Sequence, residues 1–209
     1  MTKTKPTSVT KTAVISVPTN VLESVARWTG TDETRPHLHQ VFFSKGVMVA
    51  VDGHRMVIAP CETFGLTLGV ARGYLLAAVA AQRAMKDGQE ITLAPVDVDP
   101  SLKVFSPSLI RLGLDSRRPE IGLLVPAADA RAFPSYEDVV KISSKQESDG
   151  PEGYGLDPNY LADIAEVTNQ TCDPGMRGVK VVAWSKDRLG AMVFENTAGV
   201  KFLIMPMRI

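Results

Sequence analysis

Val47-Met48-Val49-Ala50-Val51-Asp52-Gly53-His54-Arg55-Met56-Val57-Ile58-Ala59-Pro60 sets two apolar runs on either side of Asp52-Gly53. Asp-Gly between such runs is a strong hairpin signal, because both residues tolerate the backbone of a tight turn. The stretch predicts two antiparallel strands, Val47 to Val51 and Arg55 to Pro60. A third strand, His39 to Phe43, precedes them across the turn Ser44-Lys45-Gly46. Further back, Ala13 to Val17 carries alternating apolar residues and reads as a strand. A helix follows it to about Trp28, with Asn20 as N-cap and Glu23 three residues on, the spacing of a capping box.

The same order of elements returns twice. Leu66 to Val70 opens a second copy, whose helix spans about Ala71 to Lys86 and stops at Asp87-Gly88. Its strands fall near Glu90 to Ala94, Leu102 to Phe105, Leu109 to Leu114 and Glu120 to Val125, and Phe133-Pro134-Ser135-Tyr136 closes it. The polar stretch Ser143 to Gly153 is the expected linker. In the third copy Asp157-Pro158 starts a helix that runs to about Thr168, with a capping carboxylate followed by proline at the first helical position. Strands follow at Gly178 to Trp184, Leu189 to Phe194 and Lys201 to Met205. Strand, helix, then antiparallel strands, three times over, is an α+β chain in which β dominates.

The chain has 209 residues, enough for one large domain or two small ones. Lys plus Arg and Asp plus Glu each total 23, a balance that excludes a strongly basic nucleic-acid coater but not a protein that holds DNA loosely. The longest apolar run, Tyr74 to Ala81, is far short of the ~20 residues of a membrane span. Met1 to Lys11 has no apolar core and is not a signal peptide. Cys61 and Cys172 offer neither a metal-ligand spacing nor a disulfide framework. These features lead one to expect a cytoplasmic protein in a reducing environment, without a cofactor.

Candidate chemistry is sparse. Asp52 and His54 lack a nucleophile to serve, and no G-x-S-x-G run occurs. His37 and His39 would share one strand face, but two imidazoles without a third ligand make a weak metal site. Gly65, Gly69 and Gly73 lack the Lys-Ser/Thr of a phosphate loop. Between Gly65 and Lys86 there is no acid, so Arg72, Arg83 and Lys86 give the second helix either a phosphate-facing side or an ordinary solvated one. The third helix is acidic, with Asp157, Asp163 and Glu166. Phe202-Leu203-Ile204-Met205-Pro206-Met207-Arg208-Ile209 is apolar where free chain ends usually fray. It reads as a last strand packed in the core, as a groove lining that exploits adaptable methionines, or as both.

Four of these segments together resemble the bacterial sliding clamp, the beta subunit of DNA polymerase III, of which this would be a short, divergent member. That family carries T-D-G-H-R-L in its middle domain, where this chain has Val51-Asp52-Gly53-His54-Arg55-Met56, and ends in M-P-M-R-L, where this chain has Met205-Pro206-Met207-Arg208-Ile209. Phe133-Pro134-Ser135-Tyr136 is like the family's F-P-D-Y. Tyr160, in Asp157-Pro158-Asn159-Tyr160-Leu161, is like a tyrosine that starts the last domain's final helix. The resemblance covers about residues 13–209.

The resemblance implies a DNA-clamp fold, in which helices line a hole and strands form the outer wall, with twelve strand-helix-strands units per ring. It implies a non-enzymatic, sliding-clamp-like processivity factor whose partners are a DNA polymerase and other replication or repair proteins carrying short clamp-binding motifs. Carried over residue by residue, the peptide groove comprises Leu38, Val51, Gly53, His54, Arg55, Met56, Pro134, Val139, Tyr160, Leu203, Ile204, Met205, Pro206, Met207 and Arg208. Asp138 stands where the family has an arginine, which reverses a charge on the groove's rim. Weak, sequence-independent contact with double-stranded DNA falls to Arg27, Arg72, Arg83 and Lys86. Residues 1–12 read as a flexible N-terminus, 13–142 as a clamp-like domain of two units, 143–153 as linker, and 154–209 as one unit resembling half of the last domain. Three units rather than six imply a homo-oligomer, dimer or tetramer, that a clamp loader could open. The alternative is a module that captures clamp-binding motifs without encircling DNA.

Overall fold

The computed structural model describes residues 13–85, 89–96, 109–115, 121–144, 154–184 and 190–208. In chain order the elements are β1 (Ile15–Pro18), α1 (Thr19–Ala26), a 3-10 turn (Pro36–Leu38), β2 (Gln40–Ser44), β3 (Val47–Val51), β4 (Arg55–Pro60), β5 (Leu68–Ala71) and α2 (Arg72–Met85). Then come β6 (Glu90–Pro95), β7 (Leu109–Gly113), β8 (Gly122–Pro126), a second 3-10 turn (Ala130–Ala132) and α3 (Tyr136–Ser144). The chain closes with β9 (Tyr154–Gly155), α4 (Pro158–Thr171), β10 (Val179–Trp184), β11 (Met192–Asn196), β12 (Lys201–Ile204) and β13 (Met207–Arg208).

Local chemistry explains most of these boundaries. Lys45 (φ 50°) and Gly46 (φ 79°) form the two-residue turn between β2 and β3, both in the left-handed region such hairpins need. Asp157 caps α4, its carboxylate accepting the Asn159 N–H at 2.8 Å, with Pro158 in the first turn. The expected capping box of α1 does not form. The N-cap is Pro18, and Asn20 already lies inside the helix. The Thr19 N–H donates instead to the Gln89 carbonyl at 2.8 Å, so the helix end is satisfied by the neighbouring chain segment. A further difference is α3, which extends through Ser143 and Ser144, expected as linker. The predicted strand Leu102 to Phe105, residues 1–12, Lys86, residues 145–153 and Ile209 lie outside the described residues.

Two sheets carry the fold. One has four strands in the order β1-β6-β7-β8; the other has seven, β10-β11-β12-β4-β3-β2-β5. All pairings in both are antiparallel. β1 precedes α1 yet pairs with β6, while β5 precedes α2 yet pairs with β2, so the first two units exchange their leading strands. The third unit is joined to the first through β12 and β4, with Leu203 opposite Met56 and Ile204 opposite Arg55. α1, α2 and α4 form one layer, α1 packing against both of the others.

Both faces of the seven-stranded sheet are apolar, which is why its strands read as nearly continuous hydrophobic runs. Toward the helices, Val41, Phe43, Met48, Ala50, Val57, Ala59, Phe202 and Ile204 join Trp28, Leu22 and Val25 in the main core. On the outer face a smaller cluster gathers Val49, Val51, Met56, Ile58, Val193 and Leu203 with Leu38 and Phe133. The segment from Phe133 into α3 straps over this face, Phe133 stacking on Phe42 with ring centroids 4.8 Å apart and Tyr136 beside it.

A candidate peptide groove on the outer sheet face

Where the strap leaves the outer face open, a groove of about 460 Å³ remains. One wall is the β3–β4 hairpin with Val51, Gly53, His54, Arg55 and Met56; the floor and far wall are Leu203, Met205 and Ala191; Pro134 and Val139 come from the strap. Arg35, His37 and Leu38 close one end. Residues some 150 positions apart in sequence meet here because β12 pairs with β4, and the Met205 N–H donates to the His54 carbonyl at 2.8 Å.

The hairpin tip is held by its own aspartate. Asp52 Oδ1 accepts the backbone N–H groups of His54 (2.8 Å) and Arg55 (2.9 Å). Gly53 has φ +99°, a backbone conformation that strains any side chain, so position 53 favours glycine; the Arg35 guanidinium packs close over it. The hairpin turn and the groove mouth are thus the same residues.

Ten of the fifteen groove residues expected from sequence line this cavity. Ile204 does not: it is fully buried on the helix side, because strand alternation sends Phe202 and Ile204 inward and Leu203 outward. Tyr160 lies behind the groove against Arg55, Pro206 is half-buried outside it, and Met207 and Arg208 form β13, paired with β9. Arg35, His37 and Ala191 are lining residues the sequence reading missed. The motifs stop short of them, and only the fold brings the Pro36–Leu38 turn to the hairpin.

Arg55 faces two ways. Its guanidinium carbon sits 4.8 Å from the Trp28 ring centroid and 4.9 Å from that of Tyr160. Its Nε pairs with Asp52 Oδ2 at 2.8 Å, and Nη1 pairs with Asp163 of α4. Burial opposes the charge, but the hydrogen bonds that Arg55 donates to Asp163 and Asp52, with their negative charge, outweigh it and hold Arg55 above its ordinary pKa. The side chain is only 12% exposed, so it works mainly as a latch between the first unit and α4.

The helix layer carries the residues expected to face DNA. Arg27 bonds Glu23 at 2.9 Å and Glu166 at 3.1 Å, and Arg83 pairs with Glu23 as well. Arg72 begins α2 with its Nε buried, and its backbone N–H donates to the His39 carbonyl. Burial raises the Glu23 pKa, but hydrogen bonds and charge from Arg27 and Arg83 overcome it and leave the carboxyl below its ordinary value. A depressed carboxylate stabilises the fold above its unfolded pKa and loses that contribution as pH falls through the folded one. Acid titration should therefore destabilise the wild type more than Glu23→Gln from about pH 5 downward. Parallel losses in the two proteins, followed by circular dichroism, would remove Glu23 from that role.

His37 and His39 do not share a strand face. They sit in and after the Pro36–Leu38 turn, and His39 Nε2 lies 2.7 Å from the Asp32 carbonyl.

No protein-family model matches the chain, and no curated protein sequence does. Solved structures do. The beta sliding clamp of C. crescentus is 19% identical at a TM-score of 0.58, over 98% of this chain and 68% of that one. The sliding clamp of Bartonella birtlesii, bound to griselimycin, gives 0.61 at 15% identity over 100% and 68%. The DNA polymerase III beta subunit of Thermotoga maritima gives 0.61 at 14% over 99% and 68%. The likeness is one of fold: the chain has the α+β DNA-clamp fold, as the resemblance of its four motifs implied. Among the described residues no helix is long and apolar enough to cross a membrane.

Proposed function

We propose that the chain is a sliding-clamp-like, non-enzymatic processivity factor that holds short apolar–aromatic motifs of replication or repair proteins in the outer-face groove. The observation that carries this reading is the groove itself. Its two walls lie some 150 residues apart in sequence and are joined by a strand pairing, and its floor is apolar while Arg35, His37 and His54 add polar groups to its lining. Such a shape suits a peptide whose few apolar anchors supply most of the affinity. Val139, on the strap and 37% exposed, offers a variant that blocks the groove without touching the core.

A labelled peptide with a clamp-binding motif should bind in fluorescence anisotropy, and both Val139→Arg and Met205→Glu should weaken it at least tenfold. Affinity unchanged in both variants would sink the reading. The second reading, a peptide-capturing module that never encircles DNA, draws on the pairing of Arg27 and Arg83 with acids of the same helix layer. Salt-resistant retention on circular but not linear DNA favours the ring, and equal loss from both favours the module.

A further inference from the structure

α3 does more than cover the outer sheet face. It begins over β2, where Tyr136 lies against Phe42, and packs against β10 and β11 on the far side, so it crosses the strands and divides the face in two. The peptide groove lies on its Val139 flank, beside the tip of the β3–β4 hairpin. On the opposite flank is a second groove, of about 480 Å³. Its floor is Val47, Ile58 and Pro60, where β3 begins and β4 ends, and its wall is Tyr136 and Val140 of α3. Gly199, in the turn before β12, marks the side where the floor runs out. Small-molecule sites enclose most of their ligand, whereas a furrow with a single helical wall suits an extended segment of chain.

The charges around this furrow are unbalanced. Glu137, Lys141 and Lys201 line it. Glu137 is already held by Lys45 at 2.8 Å. Lys141 reaches Asp138 only at 3.7 Å, with the two side chains 69% and 66% exposed, an ordinary weak surface pair. Lys201 stands on β12 between Ile58 of β4 and Glu195 of β11. Glu195 pairs with Lys180 at 3.1 Å, and among the described residues Lys201 has no ion pair. Two ammonium groups are thus left beside an apolar floor.

We propose that this second groove docks an acidic segment of a partner protein. One bulky apolar side chain packs on Ile58 and Val140, and carboxylates on either side of it meet Lys141 and Lys201. The charge selects the partner. A basic segment sets cation against cation, and an uncharged one covers two ammonium groups without pairing them. The two grooves share the strap but no lining residue, so this site stands whether or not the first groove binds.

The probe is a fluorescein-labelled peptide, Gly-Glu-Asp-Trp-Asp-Glu-Gly, followed by anisotropy at low salt. It should bind the intact chain, and its affinity should fall as salt rises. The double variant Lys141→Gln, Lys201→Gln should weaken it about fivefold and flatten that salt dependence. A probe with Ala for Trp, or with Lys for every acid, should not bind measurably. Val139→Arg, which blocks the first groove, should leave the affinity unchanged. Failure of the probe to bind the wild type at millimolar concentration would overturn the proposal. So would equal binding of the basic probe, indifference to the double variant, or loss in Val139→Arg. If the double variant unfolds, amide NMR of the wild type decides. The probe must shift resonances at 137, 140, 141 and 199–201 and leave those at 53–56 in place. Shifts at the first set that grow with protein concentration alone would assign the groove to a second copy and count against an acidic partner.

Discussion

Arg55→Ala is expected to lower the unfolding free energy by about 3 kcal/mol, seen as a fall in Tm of roughly 6–12 °C for a chain of this size. The expectation rests on what is left behind. Asp52 and Asp163, side chains 19% and 31% exposed, would face each other without the cation that separates them, and Trp28 and Tyr160 would lose the flat group between their rings. Removing one partner of a partly buried pair costs more than the pair contributes, because the remaining charges stay desolvated. Arg55→Lys should recover less than half the loss, since an ammonium can neither fork to two carboxylates nor stack between rings. Adding Asp163→Asn to Arg55→Ala should recover part of it. Denaturant melts of these four proteins check the account, and a loss under 1 kcal/mol for Arg55→Ala would reduce the latch to an ordinary surface ion pair.

Glu23→Gln combined with Glu166→Gln should raise affinity for duplex DNA about tenfold at low salt and steepen the slope of log affinity against log salt by about two. In the wild type these two acids occupy Arg27 and Arg83. Any phosphate must compete with a carboxylate already in place, so contact with DNA is expected to be weak. Neutralising both acids frees two cations, and each new phosphate contact releases about one condensed counterion. The gain should vanish when Arg27→Ala and Arg83→Ala are added. Titrations at several salt concentrations that show no change in either quantity would remove the helix layer from DNA contact.

What the sequence made legible was local. The Asp52-Gly53 and Lys45-Gly46 turns and the Asp157-Pro158 helix start depend on residues within a few positions of each other, and the structure places them as read. The α1 capping box failed for a tertiary reason: the helix starts before Asn20, its Thr19 N–H taken by the Gln89 carbonyl 70 positions away, and Glu23 pairs with Arg27 and Arg83 instead. Arg55 was read as a groove residue from its motif, and it does line the groove. Its partners Trp28, in the turn after α1, and Tyr160 and Asp163, in α4, are distant in sequence, so no spacing announces the latch. Ile204 could have been separated from Leu203 on alternation alone, because the strand read over Lys201 to Met205 already contains it. α3 was missed although its residues alternate at helical spacing: from Tyr136 to Lys141 none is fully buried, and the polar Ser143-Ser144 end reads as the start of a linker.

The β4–β12 joint also fixes when the groove can exist. During synthesis β3 and β4 emerge with an apolar outer face and an unpaired edge, well before β12, the strand that belongs beside them. A loop of some 140 residues must close before that contact forms, and such non-local pairing is intrinsically slow. Until it closes, Met56 and Ile58 are exposed as a sticky strand rather than as a binding wall, the kind of surface that chaperones shield. A chain truncated between β4 and Lys201 never acquires the far wall of the groove. In this architecture the groove is completed only after Lys201 to Ile204 have been made and paired with β4.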